Sequence, residues 1–237
     1  MSSFTTAINI NGNAMTLYGN RPEGNSAFPG IVVIQHAPGV DEFIRTMVDR
    51  LANAGYVAVA PDLYHRINQP ELEPLKKMKM LKDQEVISDV NATVEYLRKA
   101  PEVDAERLGI TGFCMGGRVV YLMSAVNPHF KAAVVYYGGN IKQAWGEGVT
   151  SPFEHTREIK CPLMFHFGEE DTNPSPQDRH DYGEELTHYN KVHEFYTYPN
   201  AGHAFMNFTS VERYRDDAAN ESWPRSLAFF DRYLHQR

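Results

Sequence analysis

Apolar residues recur along this chain with two periods, and the alternation between those periods sets the expected architecture. Thr6–Ile10 and Ala14–Leu17 read as short strands joined across Asn11-Gly12-Asn13, an N-terminal hairpin. Gly30–Gln35 is an unbroken β-branched run, the pattern of a strand buried on both faces. Phe43, Ile44, Met47, Val48 and Leu51 then share one side of a helix that Asp41 can cap and that ends near Asn53-Ala54-Gly55. Tyr56–Ala60 is the next strand. Val86, Ile87, Val90, Val94 and Leu97 give Asp83–Lys99 a helical stripe. Leu108–Gly112, Lys131–Tyr137, Pro162–Phe167 and Val192–Tyr198 read as further strands. Met115–Val126, Ser175–Tyr189 and Ser222–Leu234 read as helices. Pro61–Leu81, with its three prolines, and Gly138–Lys160 hold no sustained period. The first is expected to be a surface or lid segment and the second a loop. Strand and helix alternate throughout, which predicts an α/β fold in one domain over 1–237, a mostly parallel sheet with helices on both faces.

One strand-to-helix junction carries chemistry. Leu108–Gly112 stops at a glycine, Cys114 follows two residues later, and Gly116-Gly117 come next. The spacing Gly112-Phe113-Cys114-Met115-Gly116 is that of the α/β-hydrolase nucleophile elbow, G-x-S-x-G, with cysteine in the serine position. A nucleophile there sits on a strained turn, and the glycines stand where side chains would collide with neighbouring backbone. The plainer alternative is a tight turn that happens to contain a buried cysteine.

A thiol nucleophile needs a base, and the base needs an orienting acid. In this fold class the acid and then the histidine follow the nucleophile, on loops after later strands. Asp171, directly after Pro162–Phe167, and His203, directly after Val192–Tyr198, meet both conditions. Glu169 and Glu170 compete with Asp171, and nine other histidines with His203; order and loop position favour the named pair. The expected oxyanion donors are the N–H of Met115, at the start of the elbow helix, and that of Ala37, because Pro38 has none.

Composition narrows the partners. A formal net charge of −7 without a basic stripe argues against nucleic acid. Two cysteines, Cys114 and Cys161, are too few for a disulfide framework and favour a reducing compartment, with Cys161 read as core. The N-terminus lacks the character of a secretory signal and no apolar run reaches bilayer length. A cytoplasmic monomer or homodimer with no membrane contact is therefore expected. Asp62 and His65, and His180, His188 and His193, lack the spacing of a zinc site, so no metal is expected. Arg118 reads as a structural hydrogen-bond donor. Among aromatics adjoining strand ends, Phe113, Tyr137 and Phe205 are expected to line an apolar pocket.

Four segments together resemble the dienelactone hydrolases (carboxymethylenebutenolidases). They are Gly112-Phe113-Cys114-Met115-Gly116-Gly117, the run from Gly55-Tyr56 to Leu63-Tyr64, Tyr136-Tyr137-Gly138, and Ala201-Gly202-His203-Ala204-Phe205. The resemblance covers nearly the whole chain. It implies a Cys-Asp-His hydrolase, needing no metal or cofactor, that opens a small lactone or ester through an acyl-enzyme. Cys114 would attack the carbonyl, His203 would carry the proton, and Asp171 would orient His203. Two positions depart from the family: His36 stands where members typically carry glutamate, and Asn207 where dienelactone-cleaving members carry arginine. Both are read as substrate-binding positions, with a structural role in its own loop equally open for His36, and dienelactone itself is not implied. Without that glutamate, Cys114 is expected to pair with His203 as thiolate and imidazolium. A broader carboxylesterase or thioesterase is the alternative, followed by a catalytically idle small-molecule-binding homologue.

Overall fold

The computed structural model describes residues 2–24 and 26–235. In chain order its elements are β1 (Ser2–Ile10), β2 (Asn13–Arg21), β3 (Phe28–Ile34), α1 (Glu42–Asn53), β4 (Val57–Pro61), α2 (Pro74–Met78) and α3 (Asp83–Lys99). They continue with β5 (Val103–Phe113), α4 (Met115–Val126), β6 (Phe130–Tyr136), β7 (Leu163–Gly168), α5 (Pro176–His188), β8 (His193–Tyr198) and α6 (Asp216–Leu234). The strands form one sheet in the order β1-β2-β4-β3-β5-β6-β7-β8. β1, β2 and β4 pair antiparallel, and every pair from β4 through β3 to β8 is parallel.

The chain leaves β3 for β4 on one side and returns across it to β5 on the other. Loops leaving β3 and β5 therefore diverge at the carboxyl ends of these strands, which opens a crevice at the topological switch point. Successive residues of β3 alternate between two cores. Val32 and Ile34 belong to the core that α3, α4 and α5 cover, whereas Ile31 and Val33 belong to the core that α1 and α6 cover. Both faces being covered, a continuous apolar run is what such a strand requires.

Sequence periodicity located these elements and misplaced several ends. The hairpin strands are nine residues each, longer than expected, because backbone pairing continues through the polar, exposed start of β1. β5 begins at Val103, since Phe28 pairs with Val103 before a register shift to Gly30 and Leu108. α6 begins at Asp216, six residues before Ser222, and continues through Pro224 with that residue exposed to solvent. Asp216 and Asp217 in its first turn suit the helix dipole. The segment expected as a lid is mostly turn and extended chain, with α2 its one short helix and no α2 side chain fully buried. The loop 138–160 contains a 3-10 turn, Pro152–Glu158, closed by a Ser151/Glu154 capping box.

A buried ion pair ties that loop to the helices below it. Arg118 of α4 is fully buried and forks onto the Asp83 carboxylate at the start of α3, with Nη2 2.9 Å from Oδ2. Nη2 also donates to the Gln143 carbonyl, and Asp83 accepts the Trp145 N–H at 2.8 Å. The guanidinium lies 3.8 Å from the centre of the Trp145 ring. Cys161 is buried, and burial pushes its thiol up to about 11. Removing one partner of a buried pair strands the other charge, so Arg118→Met is expected to lose about 3–5 kcal/mol of stability. Urea denaturation followed by circular dichroism measures this; a loss below about 1 kcal/mol would contradict it.

Candidate active site

At the end of β5 the chain must turn sharply into α4. Cys114 makes that turn with φ 57° and ψ −117°, a left-handed conformation that costs a non-glycine residue about 1–3 kcal/mol. The surrounding backbone over-determines it. Cys114 N–H donates to the Tyr136 carbonyl at 3.0 Å, and the Cys114 carbonyl accepts from Gly117 N–H at 2.9 Å. A Cβ on Gly112 would lie 2.5 Å from the Gly116 oxygen, and one on Gly116 would lie 2.6 Å from the carbonyl oxygens of Ile34 and Gln35. Glycine at both positions lets α4 lie directly against the ends of β3 and β5.

Asp171 and His203 arrive from the loops after β7 and β8. Asp171 is almost fully buried, and its Oδ2 accepts the His203 Nδ1–H at 2.9 Å. Its Oδ1 accepts the Asn173 N–H at 2.9 Å, which leaves the carboxylate oriented from both sides. Glu169 and Glu170, the rival acids, are exposed. Arg179 of α5 fastens this loop by donating to the Gly168 carbonyl at 3.0 Å and the Asp171 carbonyl at 2.8 Å. Burial opposes a charge on His203, but the bonds to Asp171 and Cys114 and the charges of both outweigh it. The ring is raised from its ordinary value of 6.5 to about 10. With Nδ1 committed to Asp171, Nε2 is the nitrogen left for Cys114.

The Ala37 and Met115 N–H groups make no backbone hydrogen bond to any described residue, and both residues share a cavity with Cys114 and His203. Tyr64, on the turn after β4, holds the two loops together. Its hydroxyl donates to the Ala37 carbonyl at 2.8 Å and lies 3.3 Å from the Met115 sulfur. The buried Gln35 accepts the Leu63 N–H at 3.0 Å and ties the same turn to the end of β3. The roles of Tyr64, Gln35 and Arg179 escape a sequence reading because each acts through a long-range bond to backbone.

The cavity measures about 680 Å³. His36 and Asn207 line it, as do Trp145 and, from α2, Leu75 and Met78. Lys76, Lys79 and Arg213 also face it, against Glu73 as the single carboxylate in its lining. The expectation that Phe113, Tyr137 and Phe205 line this pocket is corrected. All three are buried and absent from the cavity wall. Phe113 stacks on Tyr136 at 4.8 Å and meets the edge of Phe43 at 4.9 Å, because the strand alternation that aims Gly112 at α4 aims Phe113 at α1. Phe205 packs edge-on against Tyr137 at 5.3 Å, and Tyr137 in turn packs against the His203 ring at 5.2 Å. These rings form the packing behind the site. Among the described residues no three His, Cys, Asp or Glu side chains converge as metal ligands, and no helix is long and apolar enough to cross a membrane.

Known proteins share this arrangement of elements. A model of the dienelactone hydrolase family matches residues 15–234. The chain is 33% identical over 243 residues to the "Putative carboxymethylenebutenolidase" of Synechocystis sp., covering 97% of each protein. It is 30% identical over 232 residues to the "Probable 2-oxo-3-(5-oxofuran-2-ylidene)propanoate lactonase" of Bradyrhizobium sp., covering 96% of this chain and 93% of that one. The solved structure of a "Putative Dienelactone Hydrolase" from Klebsiella pneumoniae matches with a TM-score of 0.88 at 32% identity, covering 98% of this chain and 99% of that one. With elbow, sheet order and full-length similarity in agreement, the chain belongs to the dienelactone hydrolase family of the α/β-hydrolase superfamily.

Proposed function

We propose that this protein hydrolyses a small carboxylic ester or lactone through a Cys114 acyl-enzyme. One observation carries the reading: His203, hydrogen-bonded to buried Asp171 and raised to about 10, faces a half-buried Cys114 on a strained elbow. The Cys114 sulfur attacks the carbonyl carbon, and the carbonyl oxygen takes up negative charge against the N–H groups of Met115 and Ala37. The carbon–oxygen bond then breaks, and the His203 Nε2 proton passes to the leaving alkoxide, which in a lactone stays tethered to the acyl group. Water adds to the thioester carbonyl with its proton taken by His203, and Cys114 departs as thiolate. One water is added across the ester bond and the resting pair is restored. Asp171 holds the ring in the tautomer that aims Nε2 at the reacting atoms. Relatives named for opening lactones support this substrate class.

The cations at the cavity favour a substrate with negative charge. Lys76, Lys79 and Arg213 replace, at other positions, the charge that Asn207 does not provide. The apolar lid residues Leu75 and Met78, with Trp145, favour a wider ester or thioester range as a second reading. A panel of chromogenic esters, thioesters and lactones separates the two. Cys114→Ala should lower turnover by about a thousandfold or more. Binding by the native protein without any turnover would overturn catalysis and favour a small-molecule-binding role.

Two further outcomes follow from the electrostatics. A raised histidine keeps its proton until the pH passes its folded value, so His203 should be imidazolium from 6.5 up towards about 10. Nitrogen-15 NMR at about pH 8 should show both ring nitrogens protonated, and Asp171→Asn or Cys114→Ala should move the titration towards the ordinary value. A neutral ring at that pH in the native protein would count against the resting ion pair. For the charged rim, kcat/KM of a carboxylate-bearing ester should fall several-fold between about 0.01 M and 1 M salt, and that of its neutral amide analogue should not. Equal salt dependence would remove the rim from the account of specificity.

A further inference from the structure

His36 and Asn207 line the cavity, yet neither is used by the mechanism above. His36 stands just after β3, immediately before the Ala37 N–H, with its ring nearly buried against Phe43 at 5.3 Å. Its Nε2 is 2.8 Å from Asp41 Oδ2. An ionised carboxylate only accepts, so Nε2 carries the hydrogen, and in the neutral ring Nδ1 is left as a bare acceptor. Nδ1 bonds to no described residue. Asp41 is itself fixed, because its Oδ1 caps α1 by accepting the Ile44 N–H at 3.2 Å. The helix thereby sets both the direction and the tautomer of a ring that faces the cavity.

Asn207 supplies the complementary group. Its Oδ1 accepts the Thr209 N–H at 3.1 Å and the Thr209 hydroxyl at 2.7 Å. Two donors identify that atom as the oxygen, which leaves both hydrogens of Nδ2 unused. Phe43 connects the segments that carry the two residues, lying 5.3 Å from His36 and 6.0 Å from Phe208, the residue after Asn207. A residue with an unused acceptor and one with unused donors, each held by a neighbour, therefore line the cavity that holds Cys114. A carboxylate would meet the His36 lone pair with repulsion. A ketone would use Asn207 alone, and an alkyl group would leave both unpaired. A hydroxyl both donates and accepts, and so matches the pair.

We propose that His36 and Asn207 form a hydroxyl-recognition subsite, so that the preferred substrates are esters or lactones carrying a free hydroxyl within a few bonds of the reacting carbonyl. Asp41 is the positioning residue of that subsite. This assignment rests on the hydrolase reading for its kinetic test and on geometry alone for its binding test.

The experiment compares γ-butyrolactone with its α-hydroxy and α-methoxy derivatives. The native enzyme should favour the hydroxylactone over each of the others by roughly tenfold in kcat/KM, the value of one well-made neutral hydrogen bond. Asn207→Leu should lower kcat/KM for the hydroxylactone about tenfold more than for γ-butyrolactone. Asp41→Asn preserves the cap, since asparagine caps as well as aspartate. It also places an amide donor opposite Nε2, which moves the ring hydrogen to Nδ1 and turns the acceptor into a donor. The hydroxy-to-methoxy preference should then collapse towards unity, chiefly through a gain by the methoxy lactone. A purely structural role for Asp41 would lower all three rates together and overturn the assignment, as would equal native rates on the three lactones. If the native protein opens none of the three lactones, that result bears on lactone hydrolysis by itself and not on the subsite. The same three compounds are then titrated calorimetrically into Cys114→Ala, where tighter binding of the hydroxylactone by about tenfold supports the subsite and equal binding overturns it.

Discussion

Everything at this site depends on how closely α4 approaches the ends of β3 and β5. That approach is possible because Gly112 and Gly116 offer hydrogen where any other residue would place a carbon 2.5–2.6 Å from a carbonyl oxygen. Its consequence is the left-handed turn at Cys114, which lifts the thiol off the sheet to the first turn of a helix. The same contact brings the loop after β3 beside the start of α4, so the N–H groups of Ala37 and Met115 come to one cavity. Relaxing the turn would separate the thiol from these two N–H groups. Strain of about 1–3 kcal/mol is tolerated here because the sheet on either side is buried on both faces.

The remaining parts are held at longer range. Tyr64 fastens the β3 loop to the elbow, and Arg179 fastens the loop that presents Asp171. The Arg118–Asp83 pair holds Trp145 at the cavity. None of these side chains is required to meet substrate for its effect to be felt. Each converts a surface loop, which by itself would sample many conformations, into a wall with one shape.

How much of this was legible in the sequence follows from what periodicity encodes. Buried strands such as β3 and β4 and the helix of Asp83–Lys99 stand out because both faces or one stripe must be apolar. The polar stretch Asp104–Arg107 of β5 and the first six residues of α6 carry no such constraint, and pairing or continuation of the helix decides them. Cys114, Asp171 and His203 could be named because the elbow spacing is local and the order of the other two is set by topology; the structure brings Asp171 to His203 at 2.9 Å. Phe113, Tyr137 and Phe205 were misread for a related reason. Nearness to a strand end identifies a loop but not the face to which a side chain turns, and all three turn into the core behind the site. Asp41 was legible as a helix cap, whereas its hold on His36 depends on the fold of the intervening loop.

On the proposed mechanism one ring serves two opposite steps, and the charge on His203 bears on how it does so. A histidine raised to about 10 keeps its proton near neutrality and so has one at hand for the leaving group, but little of it is then in the neutral form that hydrolysis of an acyl-enzyme needs as a base. Part of that elevation comes from Cys114, through hydrogen bonding and charge, and the rest from Asp171. On the proposed mechanism, acylation converts the sulfur into a neutral thioester and removes the first contribution, while the proton leaves with the alkoxide. Burial, which opposes the charged ring throughout, is then balanced by Asp171 alone. The ring therefore holds a proton less tightly, and more of it is neutral and able to accept one, in the one intermediate where water must be deprotonated. A second carboxylate beside the sulfur would spoil this alternation by holding the ring charged in both halves, whereas His36 adds to the cavity a hydrogen-bonding group that Asp41 keeps in place.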